Sequence, residues 1–255
     1  AVSADLAFVV KNALRVSRLS HGTFDITIGP LVNLWGFGPE NRQTLIPSEQ
    51  EILARKQLTG YQNLSVKMDP PALKKSLPGI YVDLSAIAKG FGVDEVTAFL
   101  ESLGIHNIIV DIGGEISTRG TNFQGKIWRI GVSTPDEKMG IQKVIPLENE
   151  CVATSGDYRN YFEKDGVRYS HTIDPRTGKP VTHKLTSVTV VYDTCMIADA
   201  YATAIDVLGP EDGYQFAREQ ELAVFLIVRD TTGFKEEMTP QFSEILEVKR
   251  EEVKQ

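Results

Sequence analysis

Two hard oxygen donors stand one helical turn apart in the stretch MIADAYATAIDVLG (196–209): the Asp199 carboxylate and the Thr203 hydroxyl. The residues around them are small and apolar, so the stretch reads as a buried helix. A carboxylate there is costly unless something pairs with it. At i and i+4 the two side chains share a face, roughly 5–6 Å apart at Cβ. Such a pair suits Mg²⁺ or Ca²⁺ rather than a soft metal, and Mg²⁺ accepts few protein ligands when substrate phosphates and waters complete its octahedron. The alternative is local: Asp199 caps a helix or pairs with an arginine, and Thr203 bonds back to a backbone carbonyl.

Four further stretches carry polar groups at spacings that chemistry uses. In VDLSAIAKGFGVD (82–94) a strand ends near Asp83 and turns through small residues into a helix near Lys89. Backbone N–H groups at a helix start, with a lysine in the first turn, hold phosphate; the alternative is a plain connection with Lys89 in solvent. In ATSGDYRNYF (153–162), Thr154, Ser155 and Gly156 form a small donor-rich turn with Arg159 close behind, suited to an anion; the alternative is an ordinary turn of common composition. In SHTIDPRTGKP (170–180), His171 precedes an Asp174-Pro175 turn. A histidine beside a phosphate site is suited to take a proton from an attacking hydroxyl; the alternative is a polar residue filling a strand edge. In GTFDITIGPLVNLWGFG (22–38), Phe24, Trp35 and Phe37 are able to wall a flat ring with Asp25 bonding its polar edge, or simply to be core.

The elements that position these groups follow from periodicity. Residues 4–22 space Leu6, Val9, Val10, Ala13 and Val16 like one helix face. Residues 47–60 begin with Ser48 and Glu51 in capping-box spacing and stop at Gly60. The aromatic stretch 24–40 between them is expected to be a structured loop. A strand is expected at 79–85, then a helix over 88–104 with Val93, Val96, Leu100 and Leu103 on one face. A buried strand is expected at 106–115, running into Gly113-Gly114. From 126 to 191 the pattern is mostly period two, in IWRIGV, KVIPLE, CVATSG, RYSHTIDP and LTSVTVVY. The helix holding Asp199 follows, then a helix in GPEDGYQFAREQ and a strand in LAVFLIV. Helices interleaved with a long antiparallel portion predict an α+β fold, mixed but largely antiparallel, over a single domain spanning 1–255.

Bulk properties narrow the class. Of the 255 residues, 42% are hydrophobic and 24% charged, enough for a sizeable core. A net charge of −7 argues against a nucleic-acid surface, which is usually basic. No apolar run approaches the ~20 residues that span a bilayer. Ala1 is not an initiator methionine, so the first residues do not name a compartment. Cys151 and Cys195 lack metal-type spacing and are expected to be buried free thiols.

Taken together and in order, the stretches at 24–38, 82–94, 109–120 (IVDIGGEISTRG), 153–162, 170–180 and 198–209 resemble the ApbE family of flavin transferases across nearly the whole chain. The resemblance implies a T-fold-like α+β architecture and a Mg²⁺-dependent reaction with FAD as substrate. A Thr or Ser hydroxyl of an acceptor protein attacks the FMN phosphorus, and AMP leaves. Metal ligands implied by the family match Asp199, Thr203 and Ala86; lacking a side-chain oxygen, Ala86 would serve through its carbonyl, where some relatives carry threonine. Asp83 and Lys89 would contact FAD, though some relatives have an acidic residue at the lysine position. Thr23, Phe24 and Asp25 would line the flavin or adenine pocket. His171 would be the base, with Thr172 and Ile173 beside FAD and Ser155, Gly156 and Arg159 around the phosphates. The family also implies a bacterial periplasmic setting, an inner-membrane lipoprotein in full-length form, and a membrane-bound redox subunit as acceptor. Its lipoprotein-type signal and its strand with Met-Gly-Thr are expected to be missing from this chain. Competing readings are an FAD pyrophosphatase, with water in place of the protein hydroxyl, and a non-catalytic periplasmic FAD-binding protein.

Overall fold

A computed structural model describes residues 1–39, 46–135, 140–156, 160–231 and 233–252, with backbone alone for 248–252. They gather into two compact units, Ala1–Ala86 with Arg159–His183, and Ile87–Tyr158 with Lys184–Gln255.

The first unit opens with α1 (Ala4–Leu19), whose Ser3 side chain accepts from the Leu6 N–H, and buries Val9, Val10, Ala13 and Val16 as the spacing predicts. The stretch expected to be a loop holds a short helix, α2 (Gly29–Leu34), started by Pro30 in its first turn. The capping box is realised: Ser48 and Glu51 bond reciprocally at the start of α3 (Glu49–Lys56). A hairpin that the sequence reading left unassigned follows, β1 (Leu64–Met68) with β2 (Pro71–Lys75). The strand expected at 79–85 is not formed. That segment meets another backbone through the Asp83 N–H bond to the Ile26 carbonyl, 2.7 Å, rather than through a ladder.

In the second unit, α4 (Ala88–Ser102) buries Gly90, Val93 and Thr97. Val96 and Leu103, expected on the buried face, are 42% and 61% exposed, so the helix is rotated from the predicted stripe. Then come β3 (Ile108–Ile112), β4 (Glu115–Arg119), β5 (Trp128–Ser133), β6 (Ile141–Leu147) and β7 (Cys151–Ser155). The strand expected to be buried, β3, is an edge with Ile109 and Ile112 exposed. The chain returns to the first unit for the hairpin β8 (Tyr161–Lys164) and β9 (Val167–Ser170), and for the short pair β10 (Ile173–Asp174) and β11 (Lys179–Pro180).

The last stretch completes the second unit: β12 (Leu185–Tyr192), α5 (Cys195–Leu208), α6 (Pro210–Glu219), β13 (Ala223–Asp230), β14 (Gly233–Met238) and α7 (Pro240–Glu252). Six strands form one sheet in the order β14-β13-β12-β7-β4-β3. Every pairing is antiparallel, as the fold class predicts. Side chains alternate across β7. Cys151 joins Val93 and Cys195 on the α4–α5 side, and Val152 joins Phe225 and Phe242 on the side covered by β5, β6 and α7. Twelve of the fourteen residues of α5 are buried, as expected for a helix apolar nearly all round.

Candidate functional site

The second unit holds the oxygen pair. Asp199, 3% exposed, lies in the first half of α5 and accepts the Gly90 N–H onto Oδ2 at 3.1 Å. That N–H belongs to the first turn of α4, whose own N-cap, Ile87, gives no side-chain bond. One turn further along α5, the half-buried Thr203 places Oγ1 3.4 Å from Ser155 Oγ at the end of β7. Gly156 directly follows the strand. Thr154 points to the other face of β7, toward Thr189 Oγ1 at 3.0 Å.

No cation touches the Asp199 carboxylate among the described residues. Lys89, the nearest lysine in sequence to Gly90, places Nζ 2.6 Å from Glu115 Oε2 instead. Burial pushes the Asp199 carboxyl up to about 7; the negative charge of Glu115 adds to this, and the Gly90 N–H and the charge of Lys89 oppose it. Glu115, 2% exposed, is itself raised by burial, with Lys89 pulling the other way. A buried carboxylate held by one backbone N–H, with a hydroxyl one turn away, keeps acceptor capacity unspent and offers hard oxygens only. Those are the donors Mg²⁺ takes, and the residues present fit that ion.

The start of α5 is tied down by a residue not singled out in the sequence. Asp94 of α4 accepts Cys195 N–H onto Oδ1 at 2.8 Å and Met196 N–H onto Oδ2 at 2.9 Å. Cys151 and Cys195 are buried free thiols, as expected.

The first unit holds the candidate base. His171 follows β9, and its Nδ1 lies 3.1 Å from the Asn160 carbonyl. A carbonyl only accepts, so Nδ1 donates to it, which makes Nε2 the basic nitrogen of the neutral ring. The ring meets the edge of Phe37, which continues a stacked row through Phe162 and Tyr169 to Trp35. Trp35 Nε1 donates to the Gly178 carbonyl at 2.9 Å, fastening the row to the β10–β11 turn. Thr172 and Ile173 are buried, Ile173 within the cluster of Leu31, Leu34, Trp35 and Ile52.

The remaining candidates divide. Thr23 and Phe24 are both 1% exposed, so Phe24 is a core side chain. Asp25 is also buried. Its Oδ1 accepts the N–H and hydroxyl of Thr27, and its Oδ2 accepts the Tyr61 N–H, so its acceptors fasten the loop. Burial raises its carboxyl, and these bonds pull it back. Asp83 is half-buried and accepts the Ser85 N–H in a local turn. Ala86 lies in the turn two residues before α4. Arg159 lies outside the described residues.

Sequence reasoning missed Gly90, Asp94 and Glu115. The first two sit inside the quoted stretch VDLSAIAKGFGVD, and Glu115 follows the Gly-Gly turn. Their partners lie elsewhere in the chain, so no local pattern marks them.

Comparison with known proteins gives consistent matches. The sequence model of the ApbE family matches residues 1–226. A Vibrio cholerae serotype O1 protein named FAD:protein FMN transferase is 47% identical over 247 residues, 96% of this chain and 73% of that protein. The solved structure of the flavin transferase ApbE from Vibrio cholerae superposes with a TM-score of 0.88 at 45% identity, covering 95% of this chain and 77% of that one. The Pseudomonas stutzeri flavinyl transferase ApbE, in its apo form, does so at 0.86 and 41%, covering 94% and 74%.

Proposed function

The chain belongs to the ApbE family, and on that footing we propose that it is an FAD:protein FMN transferase. It moves FMN from FAD to a Thr or Ser hydroxyl of an acceptor protein and releases AMP. The observation that carries this reading is the buried Asp199 carboxylate without a cation partner among the described residues, one turn from Thr203.

The bond changes balance simply. The acceptor oxygen forms a bond to the FMN phosphorus, the bond from that phosphorus to the bridging oxygen breaks, and AMP departs with that oxygen. Asp199 and Thr203 hold Mg²⁺, which supplies Lewis-acid neutralisation of the diphosphate charge. Ser155, beside Thr203 Oγ1, and the Gly156 N–H offer donors to phosphate oxygens. Phosphoryl transfer depends mostly on positioning and electrostatics, so a short roster of reactive side chains suffices.

His171 removes the proton of the attacking hydroxyl at Nε2. The bond between Nδ1–H and the Asn160 carbonyl sets the tautomer that makes this nitrogen the acceptor. His171→Ala is expected to slow FMN transfer by about 10²–10⁴-fold while leaving divalent-metal binding intact. A variant as fast as the parent in a single-turnover assay removes the base from His171.

The acceptor, on the family's pattern, is a membrane-bound redox subunit met in the bacterial periplasm. The decisive experiment mixes purified protein, FAD, Mg²⁺ and a candidate acceptor, then maps an FMN-sized mass increase to one Thr or Ser with matching AMP. AMP appearing equally fast without acceptor, and no mass gain with it, replaces the transferase with a pyrophosphatase.

A further inference from the structure

We infer that Asp94 is a positioning residue for the proposed metal pair, fixing where α5 presents Asp199 and Thr203. This inference rests on the transferase reading above. α4 and α5 each supply the cap the other lacks. At the start of α5, Thr194 makes no side-chain cap bond, and the first two N–H groups go to the two oxygens of Asp94. At the start of α4, Ile87 makes none, and the Gly90 N–H goes to Asp199. A helix leaves its first four N–H groups without internal partners, so an external carboxylate that takes two of them decides where the helix begins.

The geometry gives the two rungs unequal standing. Asp199 lies four residues beyond Cys195, about 6 Å along the axis, and Thr203 about 6 Å further. A tilt in the first turn of α5 therefore displaces both oxygens together. A divalent ion on Asp199 draws on the carboxylate that also accepts Gly90. The bidentate Asp94 rung has no such second duty, and it holds the register of α5 when the ion binds. Burial raises the Asp94 carboxyl, and the Met196 and Cys195 N–H groups, the positive charge of Arg119 and Cys151 Sγ, 3.9 Å from Oδ1, pull it back.

The test is Mn²⁺ binding to the whole chain, followed by electron paramagnetic resonance, alongside the Mg²⁺ dependence of FMN transfer. Asp94→Asn keeps the size but turns an N–H donor toward one of the two α5 amides. It is expected to weaken Mn²⁺ affinity by roughly 10–100-fold and to raise the half-maximal Mg²⁺ concentration in proportion, with kcat recovering at saturating Mg²⁺. Ser48→Ala, which removes the cap of α3 instead, is expected to lower the melting temperature and leave Mn²⁺ affinity unchanged. A folded Asp94→Asn protein that binds Mn²⁺ like the parent overturns the inference. Should that variant not fold, Asp94→Glu takes its place: charge and both oxygens remain, the reach grows by one methylene, and the same two outcomes decide. A parent protein that binds Mn²⁺ yet transfers no FMN refutes the transferase reading, and the Mn²⁺ data still decide for or against Asp94. A parent that binds no Mn²⁺ overturns both.

Discussion

Asp199→Ala is expected to abolish FMN transfer without unfolding the protein. The divalent ion is asked to supply several kcal/mol of charge stabilisation; at 1.36 kcal/mol per factor of ten, that is a loss of about 10³-fold or more. Stability moves differently. The Asp199 carboxyl rises from an ordinary 3.8 to about 7 through burial first and Glu115 second. The folded chain then holds this proton more tightly than the unfolded chain does. The unfolded state ionises first as pH rises, so Asp199 costs stability progressively between about 4 and 7 and by a constant amount above that. Melting curves of the metal-free parent should therefore show a component falling with pH across that window, absent from Asp199→Ala and offset by added Mg²⁺. Parent-like transfer in Asp199→Ala would remove the metal from this helix, and identical pH profiles for the two metal-free proteins would mean that burial does not raise the Asp199 carboxyl.

Gly90→Ala is expected to be the most disruptive single change in the second unit. Propensity alone argues the opposite, since glycine inside a helix costs roughly 0.5–1 kcal/mol relative to alanine. Sterics decide. A Cβ at position 90 would sit 2.7 Å from Met196 Cα and closer still to the Cys195 carbonyl. Those are backbone atoms with no rotamer to yield, so about 3 kcal/mol or more of overpacking outweighs the propensity gain. Separating α4 from α5 also strains the bonds from Gly90 to Asp199 and from Asp94 to Cys195 and Met196. Urea denaturation should show a large loss of stability, and FMN transfer should fall with it. An alanine variant as stable as the parent would mean the two helices do not approach this closely.

The sequence and the structure agree where a signal is local. The capping box of Ser48 and Glu51 lies within four residues, and the all-round apolar run 196–209 declares burial by itself. That Asp199 and Thr203 stand one turn apart on one helix was legible for the same reason. What escaped has a partner far along the chain: Gly90 meets Asp199 across 109 positions, and Asp94 meets Cys195 across 101. The strand expected at 79–85 failed because apolar periodicity cannot say whether a neighbouring backbone will be there to complete a ladder. The stripe on α4 was misjudged because its buried positions include Gly90, which sits against the α5 backbone, and Thr97, whose hydroxyl bonds the Val93 carbonyl, and neither reads as apolar.

The alternation along β7 places a rule on how the gene can change. Ser155 reaches Thr203 only because it shares a parity with Cys151 and Ala153, whereas Thr154 shares the opposite parity with Val152. Losing or gaining one codon inside this strand would exchange the two sets. Cys151 or Ala153 would then replace Val152 against Phe225 and Phe242, and Thr154 or Gly156 would stand where Ser155 meets Thr203. Within the strand itself only changes of two residues keep the two faces apart.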